Sequence, residues 1–188
     1  MSKGLLTKKQ VIALLADNKS LANKNLTKMD LSGLDLSKVN FHGAILQEAN
    51  LSNCNLTKAN FWGANLADAN LRGSDLTKAT LQEANLRYTN LVGVVATSAK
   101  FYKAFLLCVD ASGADFTDAN FIDADLQFAD FTKANLKNAV LRCAKLTEVT
   151  FEGANLHNTD FTDTNLEEAD LFGANLKGAI APDGSIHP

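Results

Sequence analysis

The chain repeats itself every five residues, and that period constrains its folding more than any other property. Phe61-Trp62-Gly63-Ala64-Asn65 is followed by Leu66-Ala67-Asp68-Ala69-Asn70 and then by Leu71-Arg72-Gly73-Ser74-Asp75. From Leu26 to Leu176 every fifth position is Leu or Phe, except at Ala96 and Ala111. Two residues before each stands something small, usually Ala, and one residue before stands Asn or Asp. A period of five fits neither the 3.6 of a helix nor the 2 of a strand. The backbone must therefore follow a path that brings every fifth side chain to one interior, as repeat architectures do.

A slower period gives the shape of that path. Gly33, Gly73, Gly93, Gly113, Gly153 and Gly173 fall in one class when the chain is counted in twenties, with Asn53 beside them. Gly and Asn tolerate the positive φ that a type II turn requires at its third residue. Phe41, Phe61, Phe101, Phe121 and Phe161 share another twenty-residue class. Four fives per turn predict a coil with four sides and four corners, an all-β solenoid stacked in β-like register. About eight such turns over residues 21–180 make a rod of about 40 Å, at about 4.8 Å per rung. Val94 and Val109 stand two residues before the exceptional Ala96 and Ala111, so a large-for-small change offsets a small-for-large one. A close-packed interior of fixed cross-section requires that.

The chain before residue 21 reads differently. Residues 5–18 are predicted to form a short helix, with Thr7 and Gln10 as a capping box and Leu6 and Val11 as a hydrophobic staple. Val11, Leu14 and Leu15, with Ile12 beside them, form an apolar stripe that so short a helix must bury. Residues 1–20 are thus an N-terminal helical cap on the first coil, whose backbone edge would otherwise be exposed. Residues 181–188 form a C-terminal tail in which Pro182-Asp183-Gly184 signals a turn.

Tandem Ala-Asp/Asn-Leu-x-x resembles the pentapeptide-repeat proteins, and the resemblance covers residues 21–180. It implies a right-handed quadrilateral β-helix, and the N-terminal helix and closing segment look most similar to cyanobacterial members. Functions implied by the resemblance differ in kind. Some members mimic duplex DNA and bind DNA gyrase and other type II topoisomerases, protecting them from quinolones. Another implied role is regulation of cyanobacterial cell differentiation or photosynthetic physiology.

Composition bears on these alternatives. Lys and Arg number 18 and Asp and Glu 21, a formal net charge of -3. Residues 1–94 carry +4 and residues 95–188 carry -7. Duplex DNA carries one charge per about 1.7 Å, so a mimic of this length needs roughly two dozen unopposed charges. Cys54, Cys108 and Cys143 are too few and too scattered for a disulfide framework or a zinc site, which suits a reducing compartment. The segment around Val11–Ala16 is shorter than a typical signal core, and no apolar run approaches the roughly 20 residues of a membrane span. The chain reads as cytoplasmic.

Searching the outward positions gives no catalytic constellation, cofactor motif or metal-ligand spacing, and a smooth rod lacks the concave pocket that chemistry needs. His42, His157 and His187 are scattered. Lys38, Lys58 and Lys78 are twenty apart and stack along one corner, as an anion-binding stripe or as three hydrated ammoniums. Direct nucleic-acid binding is not expected, since no basic surface interleaved with aromatics is present.

Apolar residues do gather at mid-rod. Phe105 takes an Asn/Asp position, Leu107 and Ile122 take outward ones, and Tyr88, Cys108 and Phe128 share one outward column. Tyr102 lies in the column of Trp62 and Ile122. A contiguous apolar band of this kind marks a contact surface, where scattered apolar residues would not. Tyr88, Tyr102, Phe105, Leu107, Ile122 and Phe128 are therefore the candidate interaction surface of a non-enzymatic scaffold. They would meet an unidentified protein partner or a second copy of the chain.

Overall fold

The five-residue unit closes a turn of its own before it joins anything else. In a computed structural model, which describes residues 6–16 and 20–188, the fourth residue of a unit donates its N–H to the carbonyl of the inward residue three before it, as in Ala64 N to Phe61 O at 2.9 Å, with Cys54 N turning to Ser74 Oγ instead. The residue before that donor lies in the left-handed region on every side, with φ of 60° at Gly63, 59° at Tyr88, 64° at Gly113 and 58° at Lys78. Glycine meets this conformation without cost, but most corners are occupied by other residues. Gly43 and Gly73 have a further reason to be glycine. A Cβ on either would come within 2.5 Å of Asn23 Oδ1 or 2.7 Å of Asn53 Oδ1 in the turn below.

Four such units make one turn of coil, because every parallel bridge joins residues twenty apart, from Asn25 and Ile45 to Asp160 and Ile180. The result is a right-handed quadrilateral β-helix. We number its sides by their inward residues: the first holds Phe41, Phe61 and Leu81, the second Leu46, Leu66 and Leu86, the third Leu51, Leu71 and Leu91, the fourth Leu56, Leu76 and Ala96. Stacked rings give the rung spacing directly: Phe41 on Phe61 and Phe101 on Phe121 have centroids 4.7 Å apart.

Inward Leu and Phe side chains are buried from Leu21 to Phe161, with the small residues two before them as a second buried layer. Ala96, Ala111, Val94 and Val109 are all buried, and no kink follows from the two alanines. Ala96 N still meets Asp115 O at 2.7 Å and Ala111 N meets Asp130 O at 2.8 Å. Phe116 and Phe131 stand one rung above those alanines and pack edge to face at 5.5 Å, filling the space that a leucine below would claim.

Polar side chains hold the corners and the layers. Asn or Asp before each inward residue accepts the backbone N–H two residues on, as Asn70 does from Arg72 at 3.1 Å. Amide side chains also link turns, with Asn155 donating to Asn135 at 2.9 Å and Asn175 to Asn155 at 3.2 Å. Where the small inward residue is Ser or Thr, its hydroxyl is satisfied by a backbone carbonyl, of the turn below at Ser74, Thr89 and Thr159 and of its own unit at Thr164. Ser74 reaches Leu51 O at 2.6 Å and Thr89 reaches Leu66 O at 2.8 Å.

The two ends differ. The helix α1 spans Lys8–Ala16, shorter than the span expected over 5–18; Leu6 and Thr7 precede it, and residues 5, 17 and 18 lie outside the described residues. Thr7 and Gln10 form the reciprocal cap, at 2.8 Å and 3.3 Å. Val11 is buried against the coil, Leu14 and Leu15 are half-buried, and Ile12 faces solvent. Lys8 Nζ ties the helix to Asp30 at 3.3 Å. At the other end the second side frays, since Lys145 and Asn165 do not bridge and Leu166 is half-buried; Leu171 and Leu176 of the third and fourth sides are half-buried too, though their bridges persist. Asp183 turns the tail by accepting from Ser185, and Ile186 pairs back on Ile180 in antiparallel fashion.

Candidate functional site

Each predicted surface residue can be located from the rung ladder. Tyr88, Phe105 and Phe128 are exposed, at 58%, 40% and 47%, while Tyr102, Leu107 and Ile122 are half-buried. Backbone bonds fix their adjacency: Tyr88 N meets Leu107 O at 3.0 Å, and Cys108 N meets Gln127 O at 3.0 Å. The second side thus brings Tyr88, Leu107, Cys108 and Phe128 onto three consecutive rungs, with Phe105 in the bridge column leading into them. On the first side, Lys103 N meets Ile122 O at 3.0 Å, which sets Tyr102 and Ile122 one above the other.

The electrostatics of the band come from cations laid on its rings. Arg87 places its guanidinium 4.8 Å over Phe105, bridging the rung below to the aromatic above. Lys103 Nζ lies 5.1 Å over Tyr102, and a hydrogen bond with the Tyr102 side chain holds that ammonium above the usual lysine range. Asp125, directly above Phe105, is half-buried and paired with Lys145 at 3.7 Å. The arrangement can bury aromatic area against a partner.

Other exposed apolar residues were not among the predicted six. Ile45 and Val95 occupy Asn/Asp positions, as Phe105 does, at 41% and 42% exposure. The rule that picks out Phe105 picks them out too. Trp62 is 46% exposed and sits edge-on to His42 at 5.8 Å. Phe172 and Ile186, 77% and 71% exposed, lie at the C-terminal end and not in the band. Lys38, Lys58 and Lys78 share one corner column, with Lys38 N bonded to Thr57 O and Lys58 N to Thr77 O, each at 2.9 Å. Among the described residues no group of three metal-ligating side chains converges, and no helix is long and apolar enough to cross a membrane.

Comparison with known proteins points one way. The model of the family described as pentapeptide repeats matches in 8 copies, over residues 20–47, 44–82, 74–107, 109–138, 119–158 and 139–178. No curated protein matches the chain. Among solved structures, it is similar to HetL of the cyanobacterium Nostoc sp. strain PCC 7120, a pentapeptide repeat protein involved in heterocyst differentiation regulation. That likeness has 27% identity and a TM-score of 0.50, and covers 97% of this chain and 100% of HetL. A pentapeptide repeat protein of the Arabidopsis thaliana thylakoid lumen is 32% identical over 57% of this chain and 72% of its own, with a TM-score of 0.31. QnrB1, a plasmid-mediated fluoroquinolone resistance protein, is 16% identical over 80% of this chain and 83% of its own, with a TM-score of 0.45. The five-residue period, the four-sided coil and the family match agree, and the chain belongs to the pentapeptide-repeat family.

Proposed function

We propose that this protein is a non-enzymatic, cytoplasmic scaffold that presents the mid-rod band to a protein partner. One observation carries the reading: Tyr88, Phe105 and Phe128 are exposed on consecutive rungs of a surface that is elsewhere mostly polar. A continuous coil needs none of them there, because Asn, Asp, Glu or Lys fills the same columns in other turns. Aromatic side chains on a rigid support lose little entropy on binding and bury large areas, which is what contact centres use. Replacing Phe105 by Asp together with Leu107 by Lys is expected to leave circular dichroism unchanged and to remove the partner captured from the native host. Capture of the same partner by the doubly substituted protein would refute the reading.

A regulatory role of the kind ascribed to HetL is compatible with this scaffold and is supported by the likeness along the whole of HetL. A duplex mimic is not favoured, because a net charge of -3 is far from the roughly two dozen charges a rod of this length would need.

A further inference from the structure

One corner of the second side reads, rung by rung, Lys28, Glu48, Asp68, Tyr88, Cys108, Phe128, Glu148, and Glu168 follows in sequence register beyond the point where that side frays. Its apolar middle, which carries the Arg87 guanidinium folded onto Phe105, is flanked by carboxylates at both ends, and Glu167 stands beside Glu168 while Asp110 and Asp130 border the middle on the next column. Lys28 neutralises Glu48 at 3.2 Å. Among the described residues, Asp68, Glu148, Glu167 and Glu168 make no ion pair, and all four are exposed. An apolar strip with acidic ends calls for an apolar segment with basic ends.

We propose that this side binds a basic amphipathic helix of a partner protein, laid along the rod axis. Its apolar stripe rests on Tyr88, Leu107 and Phe128, and its Lys and Arg residues meet Asp68 at one end and Glu148, Glu167 and Glu168 at the other. This rests on the reading of the mid-rod band as a docking surface and names the chemistry of what docks there.

Geometry selects a helix. The backbone of these rungs is already paired along the axis, with Tyr88 N on Leu107 O at 3.0 Å and Phe128 N on Thr147 O at 2.9 Å, so the side has no free edge for an added strand. A helix docks through side chains alone, and its pitch of about 5.4 Å lies close to the 4.7 Å rung spacing. Over the four rung steps from Asp68 to Glu148 the two repeats drift by about 3 Å. Charge rejects a second copy. Asp68 and Glu148 each lie two rungs from Cys108, so a two-fold axis across the rod at that point sets Asp68 against Glu148. A two-fold axis along the rod sets each carboxylate against itself. Both arrangements place like charges together.

The probe is a fluorescent synthetic helix of about 20 residues with a leucine stripe and lysines at both ends, beside a twin carrying glutamates in place of the lysines. By anisotropy, the intact protein is expected to bind the lysine peptide, more weakly as salt rises, and not the glutamate twin. Glu148→Lys with Glu168→Lys is expected to weaken the lysine peptide at least about tenfold and to admit the glutamate twin. Lysine is tolerated at the Glu148 corner, whose φ of 50° is close to the 58° of Lys28 in the same column. Phe128→Ser is expected to weaken both charge pairings, and Asp118→Lys on the fourth side, in the column of Lys78, to change neither. Circular dichroism verifies each fold. Equal binding of both peptides, binding of neither, indifference to the Glu148 and Glu168 changes, or saturation by dimerisation overturns the proposal. If the Phe105 and Leu107 changes still release the native partner in that case, the docking surface stands and only the helix chemistry falls.

Discussion

At the scale of single residues, the small inward position has a chemical rule that its usual Ala conceals. A hydroxyl or thiol fits there because a carbonyl of the turn below lies within reach, as Thr159 finds Leu136 O at 2.8 Å and Cys54 Sγ finds Leu31 O at 3.1 Å. Thr89→Val keeps the shape and removes one bond, while Leu66 O retains the Ala69 N–H. The expected loss is about 1 kcal/mol in denaturant unfolding, and a change below about 0.3 kcal/mol would show the hydroxyl to be incidental. The cysteines diverge for the same reason. Burial raises the Cys54 thiol above its usual range, whereas Cys143 is exposed. A thiol reagent under native conditions is expected to modify Cys143 first and Cys54 only on unfolding; peptide mapping of the labelled protein decides between them.

At the scale of elements, α1 is held by its cap, by Val11 and by the Lys8–Asp30 contact. Thr7→Ala removes the half of the capping box in which the hydroxyl accepts from Gln10 N–H, leaves the Thr7 N–H bonded to Gln10, and is expected to cost about 1 kcal/mol and to unwind Lys8–Ala16 first, read as loss of amide protection there. Asp30 carries a pH signature. Hydrogen bonds from the Ser32 hydroxyl and N–H, and then Lys8, lower its carboxyl from 3.8 to about 2. Because the folded value lies below the ordinary one, its contribution is fully present above pH 3.8 and is lost as pH falls through about 2. An NMR titration of the Asp30 carboxyl carbon checks this, and a midpoint near 3.8 would mean that the contacts do not persist in solution.

At the scale of the whole molecule, stability runs along one dimension, each turn leaning on its neighbours. Leu66 is fully enclosed and Leu171 is half-open at the C-terminal end. Leu66→Ala is expected to cost about 2–5 kcal/mol, and Leu171→Ala less than about 2 kcal/mol. Equal losses in urea unfolding would mean that the end is covered in solution. The same linear stacking makes the rod a ruler, in which residues twenty apart become neighbours and a surface is written as columns. A band on two sides, or a corner with an apolar middle and acidic ends, is a property of columns and not of any contiguous stretch of chain.

The period of five and the slower period of twenty determined the core, the four sides and the outward positions, because each inward Leu or Phe at Phe41, Leu66 or Phe121 must be enclosed or the rod has no interior. They also made Phe105 and Tyr88 legible as surface residues, since both break the composition of their columns. Tertiary structure decided what neighbouring rungs do to one another. Arg87 folding onto Phe105, the hydroxyls of Ser74 and Thr89 reaching carbonyls one turn down, and the fraying of the second side at Asn165 depend on contacts between residues about twenty apart. A five-residue pattern cannot encode those contacts, because they depend on which side chain the stacking happens to place above and below.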